Sequence, residues 1–252
     1  MSDSAIRDGA ILSARSTRMS WRNLDALITA VMLPVIILVL FVYLFGGAID
    51  TGTAYVDYVA PSVILLCTCL GASTTAVSVS LDLTHGVVDR FRAMDVSGVA
   101  LLGGHVVASV ARNAISTALV FAVAYLIGFR PNTTPLAWLG VAGLLGLFVL
   151  AISWLAAALG LLVKSPEAAN GVAVFLMFLP YPSSAFVPIA TMPTWLAGFA
   201  EHQPATPIIE TLRGLLLGMP IGSSGWLAIA WCAGILVASM LLASLLYRRR
   251  TS

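Results

Sequence analysis

Charged residues are scarce in this sequence. Only 10% of its 252 residues are Asp, Glu, Lys or Arg, whereas 60% are apolar, and the mean hydropathy is +0.99. This composition leaves too little polar surface for a soluble domain of this length and indicates an integral membrane protein. Because a bilayer-spanning helix takes about 20 mostly apolar residues, there is room for roughly six or seven spans and short loops. A large soluble domain, including one that hydrolyses nucleotides, is excluded.

The sequence contains a single lysine, Lys164, which limits where it can bind nucleotide phosphates. A phosphate-binding loop needs the pattern Gly-x-x-x-x-Gly-Lys-Ser/Thr between a strand and a helix. Lys164 and Ser165 follow Val163 rather than a glycine, at the end of an apolar run. Any activity driven by ATP therefore requires a separate subunit, and we expect neither ATP hydrolysis nor a cofactor in this chain.

Cysteine is also rare, and Cys67, Cys69 and Cys232 all lie inside apolar runs. Such cysteines are typical small buried hydrophobes, and the spacing of the first two does not match Cys-x-x-Cys, so neither a disulfide framework nor a zinc site is indicated. The three histidines are dispersed along the chain, which argues against any other metal site.

Long apolar runs are abundant, and they predict an all-α membrane protein. Short polar links separate the runs, so we predict one transmembrane domain over residues 26–252 with six spans. The predicted spans cover residues 26–47, 58–80, 104–128, 137–163, 168–190 and 225–247. The proline-rich stretch 191–224 is too apolar for an ordinary loop. It predicts short helices at the outer interface, either lying on it or re-entering the bilayer.

The distribution of basic residues predicts the orientation. Arg7, Arg15, Arg18 and Arg22 share one side of a helical wheel, so residues 1–25 are predicted to form an amphipathic helix on the membrane surface, the alternative being a disordered basic tail. With six spans, ten basic residues lie on the side of the two termini and two on the other side. Both termini are therefore predicted to be cytoplasmic.

An ion-driven carrier is disfavoured by the lack of acidic residues in the middle of the spans. Proton-coupled carriers place Asp, Glu or His at mid-membrane, where these side chains are costly and usually functional. Spans one, two, four, five and six have no acidic residue at their centres. Sodium coordination by carbonyls and hydroxyls near residues 180–184 stays open.

A short amphipathic segment lies in the loop between spans two and three. Residues 86–94 read GVVDRFRAM, and a helix would bring Val87, Arg90, Phe91 and Met94 onto one face. An apolar knob edged by charge suits insertion into a groove of a partner protein. In the alternative interpretation, the arginines only enforce topology while Phe91 and Met94 enter the interface.

Three further charged residues are candidates for a pathway or a gate. Arg112 lies in or near the start of span three, where it can line a substrate path, bond a neighbouring helix, or extend to the headgroups. Glu210 and Arg213 are three residues apart on a predicted outer helix. They can form a gate or an intersubunit pair, or only a local ion pair.

A series of short motifs over nearly the whole chain resembles the ABC-2 type transporter permeases, and most closely the daunorubicin-type drug-efflux branch. The motifs occur in the expected order: GVVDRFRAM at 86–94, GFRP at 128–131, SPEAA at 165–169, AFVP at 185–188, MPTWL at 192–196, and QPATP at 203–207 followed by Arg213.

The resemblance implies a six-span permease with an N-terminal interfacial helix and re-entrant helices before the last span, in a bacterial plasma membrane. It also implies a coupling helix that contacts the ATP-binding subunit. The implied contact residues are Val87, Asp89, Arg90, Phe91, Arg92 and Met94. The implied partners are a dimer of ATP-binding subunits, which holds ATP and Mg, and a second permease, identical or paralogous, with the substrate passing between the two permeases. No nucleic acid is expected.

We therefore expect the permease subunit of an ATP-driven exporter of a small hydrophobic or amphiphilic compound, drug-like or lipid-like. The alternatives are an ion-gradient-driven carrier, a non-transporting scaffold, or an ABC exporter of polysaccharide, lipid or sodium.

Overall fold

The computed structural model of the chain describes residues 24–85, 98–163 and 165–251. These residues form helices joined by turns and short loops, with no strand among them. The prediction of an all-α protein is thereby confirmed for this part of the chain. The surface helix predicted for residues 1–25 lies outside the described residues except for its last two, which begin the first described helix.

Eight α-helices follow one another in the described part. They are α1 (Leu24–Leu40), α2 (Tyr55–Thr84), α3 (Gly98–Ile127), α4 (Pro135–Leu162), α5 (Pro166–Phe178), α6 (Thr194–His202), α7 (Ala205–Leu217) and α8 (Ser224–Thr251). A π-helical turn, Phe41–Phe45, extends α1, and a 3₁₀ turn, Ile189–Thr191, precedes α6.

Four of these helices are long and apolar enough to cross a membrane. They are α2, α3, α4 and α8, and no other helix of the described residues reaches that length with that composition. Val31–Phe45 and Pro166–Phe178 are shorter apolar helices. The chain is therefore a multi-pass membrane protein, as its composition predicts.

Helix α5 ends earlier than the sequence predicts. A continuous span is expected over 168–190, but the helix stops at Phe178 and the chain runs through turns from 179 to 187. Pro180 and Pro182 explain the difference, because proline lacks the amide hydrogen that a helix needs and its ring clashes with the carbonyl of the preceding turn. The 13 residues of α5 rise about 20 Å, less than the hydrocarbon thickness of a bilayer.

Helix α2 is the centre of the bundle and packs against α1, α3, α4, α5 and α7. Most of its residues are buried. Small residues allow the closest approaches: a Cβ added to Gly160 of α4 would lie 2.6 Å from the carbonyl oxygen of Ala76. In a membrane such close backbone contact replaces the hydrophobic effect as the main source of helix association.

The stretch between α5 and α8 contains two short helices, α6 and α7. The apolar side of α7 is fully buried through Ile208, Ile209, Leu212 and Leu216, and it packs against α2, α4 and α8. Gly218 ends α7 with a left-handed backbone (φ 69°), a conformation that glycine adopts without strain. This arrangement places the charged residues of α7 against the beginning of α2.

Candidate functional site

The residues predicted to contact an ATP-binding subunit lie outside the described residues. These are Val87, Asp89, Arg90, Phe91, Arg92 and Met94. The structure does describe the two helices on either side of them, α2 and α3.

A hydrogen-bonded pair of side chains joins these two helices close to that loop. Asp82 Oδ2 lies 3.0 Å from His105 Nε2, and both side chains are largely buried. Sequence reasoning missed this pair and treated the histidines only as possible metal ligands. The available signal was the position of each residue, since both are ionisable groups near the end of an apolar helix, where a partner on the neighbouring helix lowers the cost of burial.

Arg213 and Glu210 form a local ion pair, one of the alternatives that their spacing allows. Arg213 Nη1 donates to Glu210 Oε1 at 2.7 Å. The structure adds a second set of partners that the spacing does not reveal. Arg213 Nη2 donates to the carbonyl oxygens of Tyr58 (3.0 Å) and Ser184 (3.2 Å), while its Nε also points to the Tyr58 carbonyl (3.3 Å). One buried arginine therefore joins α7, α2 and the turn at 179–187.

Two tyrosines at the same end of α2 bind this turn. Tyr58 Oη donates to the carbonyl of Ser184 at 2.8 Å, and Tyr55 Oη donates to the carbonyl of Phe186 at 2.9 Å. Carbonyls in a non-helical segment at membrane depth need such donors, because lipid offers none. The Tyr55 end of α2, the turn and α7 therefore form one hydrogen-bonded unit.

Arg112 lies in a second polar cluster, between α2 and α3. Its side chain is buried, and Nη2 donates to the carbonyl oxygen of Gly71 at 3.0 Å. Of the three roles that the sequence left open, the structure shows the bond to a neighbouring helix. It does not bring Arg112 together with Glu210 and Arg213, which belong to the network at the Tyr55 end of α2.

Further polar contacts surround Arg112. Asn113 packs on Gly71 so closely that a Cβ at this glycine would overlap its amide group. The Nδ2 atom of Asn113 donates to the carbonyl of Ser109 at 3.0 Å, and the hydroxyls of Ser109 and Ser153 lie 2.8 Å apart. This cluster links α2, α3 and α4 at the middle of the bundle.

A row of aromatic rings follows the turn at 179–187. Phe186 lies 4.4 Å from Phe41 and 5.1 Å from Tyr181, measured between ring centroids. Phe45 continues the row at one end (5.2 Å from Phe41) and Phe178 at the other (5.2 Å from Tyr181). The central ring is buried, whereas the two outermost rings are exposed by 39% and 51%. The row is therefore recessed in the middle and open at both ends.

Within the residues that the structure describes, no group of three His, Cys, Asp or Glu side chains could hold a metal ion. The three cysteines are buried thiols without disulfide bonds. The side chains described above thus form two hydrogen-bonded clusters, one Arg–Glu ion pair and an aromatic surface.

The family model described as ABC-2 type transporter matches residues 9–217, which is most of the chain. The chain belongs to the ABC-2 type transporter family. The match includes the segment 86–94, both polar clusters, the aromatic row and α7.

Individual relatives of this ABC-2 type transporter carry drug-resistance names. The chain is 30% identical over 254 residues to the daunorubicin resistance ABC transporter permease protein DrrB1 of Streptomyces coeruleorubidus, an alignment that covers 95% of this chain and 90% of the relative. It is 24% identical over 239 residues to the probable doxorubicin resistance ABC transporter permease protein DrrC of Mycobacterium tuberculosis, covering 92% and 84%. The chain is therefore the permease subunit of an ABC exporter, in the branch that the sequence motifs indicate.

Proposed function

We propose that this permease exports a hydrophobic or amphiphilic compound, drug-like or lipid-like, using ATP that a separate subunit hydrolyses. The observation that carries the proposal is the end-to-end similarity to permeases named for daunorubicin and doxorubicin resistance. The single lysine and the lack of a phosphate-binding loop support placing ATP and Mg on the partner. The permease itself performs no bond chemistry.

We propose six spans with both termini in the cytoplasm of a bacterial cell. Helix α1 and its π-helical turn cover residues 24–45 and rise about 33 Å, enough for the hydrocarbon core. Helix α5 is shorter, and its span is completed by the turn at 179–187, whose carbonyls receive donors from α2 and α7. The buried apolar side of α7 supports a helix that re-enters the bilayer from the outer side.

Segment 86–94 is the proposed contact with the ATP-binding subunit on the cytoplasmic side. In this proposal Val87, Phe91 and Met94 enter a groove of that subunit, and the charged neighbours Asp89, Arg90 and Arg92 fix the register. ATP-driven closure of two such subunits would displace this segment in two permeases at once.

A second permease, identical or paralogous, completes the proposed transporter. Large apolar side chains are exposed along α1 and α8, which supports contact with lipid and with another permease. The substrate would pass between the two permeases. Glu210 and Arg213 are the proposed outer gate. Their network joins α7, α2 and the turn at 179–187, which would have to separate for a substrate to leave on the outer side. The bond to Gly71 supports a role for Arg112 in holding α3 to α2 beside any pathway.

Co-purification from the native host tests the proposed partnership. The tagged permease, the double variant Phe91→Asp with Arg90→Glu, and the control Trp195→Asp are purified in mild detergent. Trp195 is a suitable control because it is 77% exposed on α6, at the opposite end of the spans in the proposed topology. We expect an ATP-binding subunit to co-elute with the native chain and the control and to be lost from the double variant.

If no ATP-binding subunit co-elutes with any of the three chains, while the reconstituted protein moves solute along an ion gradient, the ion-driven carrier replaces the exporter.

A further inference from the structure

Helix α2 is joined to its neighbours by polar contacts at each end, here called polar ties: the Asp82–His105 contact at its loop end, and the bonds of Tyr55, Tyr58 and Arg213 at the other. We infer that α2 transmits movement across the permease, with Asp82 and His105 as the positioning residues at its loop end. The helix is 30 residues long and rises about 45 Å. The inference rests on the proposed function, because it takes residues 87–94 to be the contact with the ATP-binding subunit.

The tie at the loop end joins the helices that enter and leave residues 86–97. Asp82 lies two residues before the last residue of α2, Thr84, and His105 lies seven residues after the first residue of α3, Gly98. Their 3.0 Å contact is largely shielded from solvent, so water competes little for the two hydrogen-bonding atoms. A force on the loop therefore displaces α2 and α3 together and does not spread them apart.

The middle of α2 is held to α3 in the same way. Arg112 donates to the carbonyl of Gly71, and Asn113 fills the space that a side chain at Gly71 would need. Packed interfaces of this kind do not deform continuously, so the pair moves as a rigid unit. Movement at the Asp82 end is thus shared by α2 and α3 as far as Gly71, and the buried packing of residues 58–69 carries it past Pro61 to the Tyr55 end.

At the Tyr55 end the movement reaches the proposed outer gate. Arg213 binds the Tyr58 carbonyl, and the hydroxyls of Tyr55 and Tyr58 bind the turn at 179–187. Displacement of this end of α2 must move the turn and α7 or break these bonds. Either response changes the surroundings of Glu210 and Arg213, so the two polar ties couple the loop to the gate.

A fluorescent probe beside the Tyr55 end measures this transmission without knowledge of the substrate. Thr53 is exposed just before α2, and the three native cysteines are buried, so Thr53→Cys can be labelled selectively. The labelled permease is assembled with its ATP-binding subunit in lipid nanodiscs, and the change in fluorescence on adding ATP and vanadate is recorded. The same measurement is made with Asp82→Asn, His105→Gln, both changes together, and the exchanged pair Asp82→His with His105→Asp.

Glu201→Gln is the matched control, because it makes the same carboxylate-to-amide change at an exposed position of α6. We expect the control to keep the full fluorescence change. Each single variant should retain the ATP-binding subunit, but its fluorescence change should be about fivefold smaller than that of the unmutated permease. This factor corresponds to the effect of one lost hydrogen bond on an equilibrium. The double variant should be no worse than either single variant, because the two residues act as one unit. The exchanged pair should recover most of the signal.

Two results would overturn the inference. One is an unchanged signal in the single variants; the other is losses that simply add in the double variant without recovery in the exchanged pair. Both leave the proposed function intact, provided that the unmutated permease retains the ATP-binding subunit and responds to ATP. If the unmutated permease retains no such subunit, the proposed function fails and the inference fails with it.

Discussion

The guanidinium group of Arg213 lies over the ring of Tyr58, with Cζ 3.7 Å from the ring centroid, and also donates hydrogen bonds to the carbonyl oxygen of the same residue. A single arginine of α7 therefore holds both the side chain and the backbone of one residue of α2. Only a planar guanidinium can make this contact while it also reaches Ser184 and Glu210.

Replacing Arg213 with lysine should destabilise the permease more than removing the charge of Glu210. An ammonium group cannot stack on Tyr58 and donate to three oxygens at once, so Arg213→Lys should lower the free energy of unfolding by about 2 kcal/mol. Glu210 is 38% exposed and can bind water instead, so Glu210→Gln should cost well under about 1 kcal/mol. Thermal unfolding in nanodiscs checks the order. Equal losses would mean that the ion pair, and not the bonds to α2, holds α7.

The two tyrosines of α2 should differ in importance. The Ser184 carbonyl keeps a bond from Arg213 when Tyr58 loses its hydroxyl, whereas the Phe186 carbonyl has no second donor among the described residues. A buried carbonyl left without a donor costs roughly 1–3 kcal/mol. Tyr55→Phe should therefore lower the unfolding temperature more than Tyr58→Phe. The reverse order would contradict the assigned bonds.

Gly71 should not tolerate alanine. A Cβ at this position overlaps the amide of Asn113, and overpacking of this kind costs about 1–3 kcal/mol. Adding Asn113→Ala to Gly71→Ala should recover part of the loss, because it empties the overlapped space. Gly143→Ala is the control, since a Cβ there meets nothing within 4 Å. Unfolding experiments on the four chains test the prediction, which fails if Gly143→Ala is as damaging as Gly71→Ala.

The aromatic row should favour planar aromatic substrates over aliphatic ones. If the exported compound contacts it, the exposed ring of Phe178 can stack on a planar molecule, an interaction worth about 0.5–1.5 kcal/mol beyond area burial. The measurement is ATP hydrolysis by the permease assembled with its ATP-binding subunit. Phe178→Leu should then raise, by roughly threefold to tenfold, the doxorubicin concentration that gives half-maximal stimulation.

A second probe and a control variant complete this test. The stimulation by an aliphatic cationic amphiphile should change little in Phe178→Leu. Phe175→Leu, a similar change at an exposed ring of α5 outside the row, should leave both responses unchanged. Equal effects on the planar and the aliphatic probe would show that stacking plays no part.

Much of the helical architecture follows from the sequence through local patterns. The apolar runs 58–80, 104–128, 137–163 and 225–247 correspond to α2, α3, α4 and α8, with ends that differ by at most six residues. The spacing of Glu210 and Arg213 also placed their local ion pair among the alternatives, since residues three apart on a helix face each other. Each of these predictions depends on neighbours in the chain.

The contacts between helices could not be obtained in that way. Arg213 and Tyr58 are 155 positions apart, and Asp82 and His105 belong to different helices. Hydrophobic periodicity predicts which side of a helix is apolar, but it does not predict which neighbouring helix a buried polar group will contact. The early end of α5 is an intermediate case, because Pro180 and Pro182 were visible in the sequence while the donors that make a non-helical turn tolerable there come from α2 and α7.

The sequence alone was sufficient to identify a membrane-embedded helical permease. Apolar run length, charge placement and motif order are properties of the chain alone. The tertiary structure decided that α2 occupies the centre of the bundle and that Arg213 holds its Tyr55 end, while Asp82 and His105 connect it to α3. The physical reason is that buried polar groups need partners that lipid cannot supply, and only the packing of distant helices determines which partners are within reach.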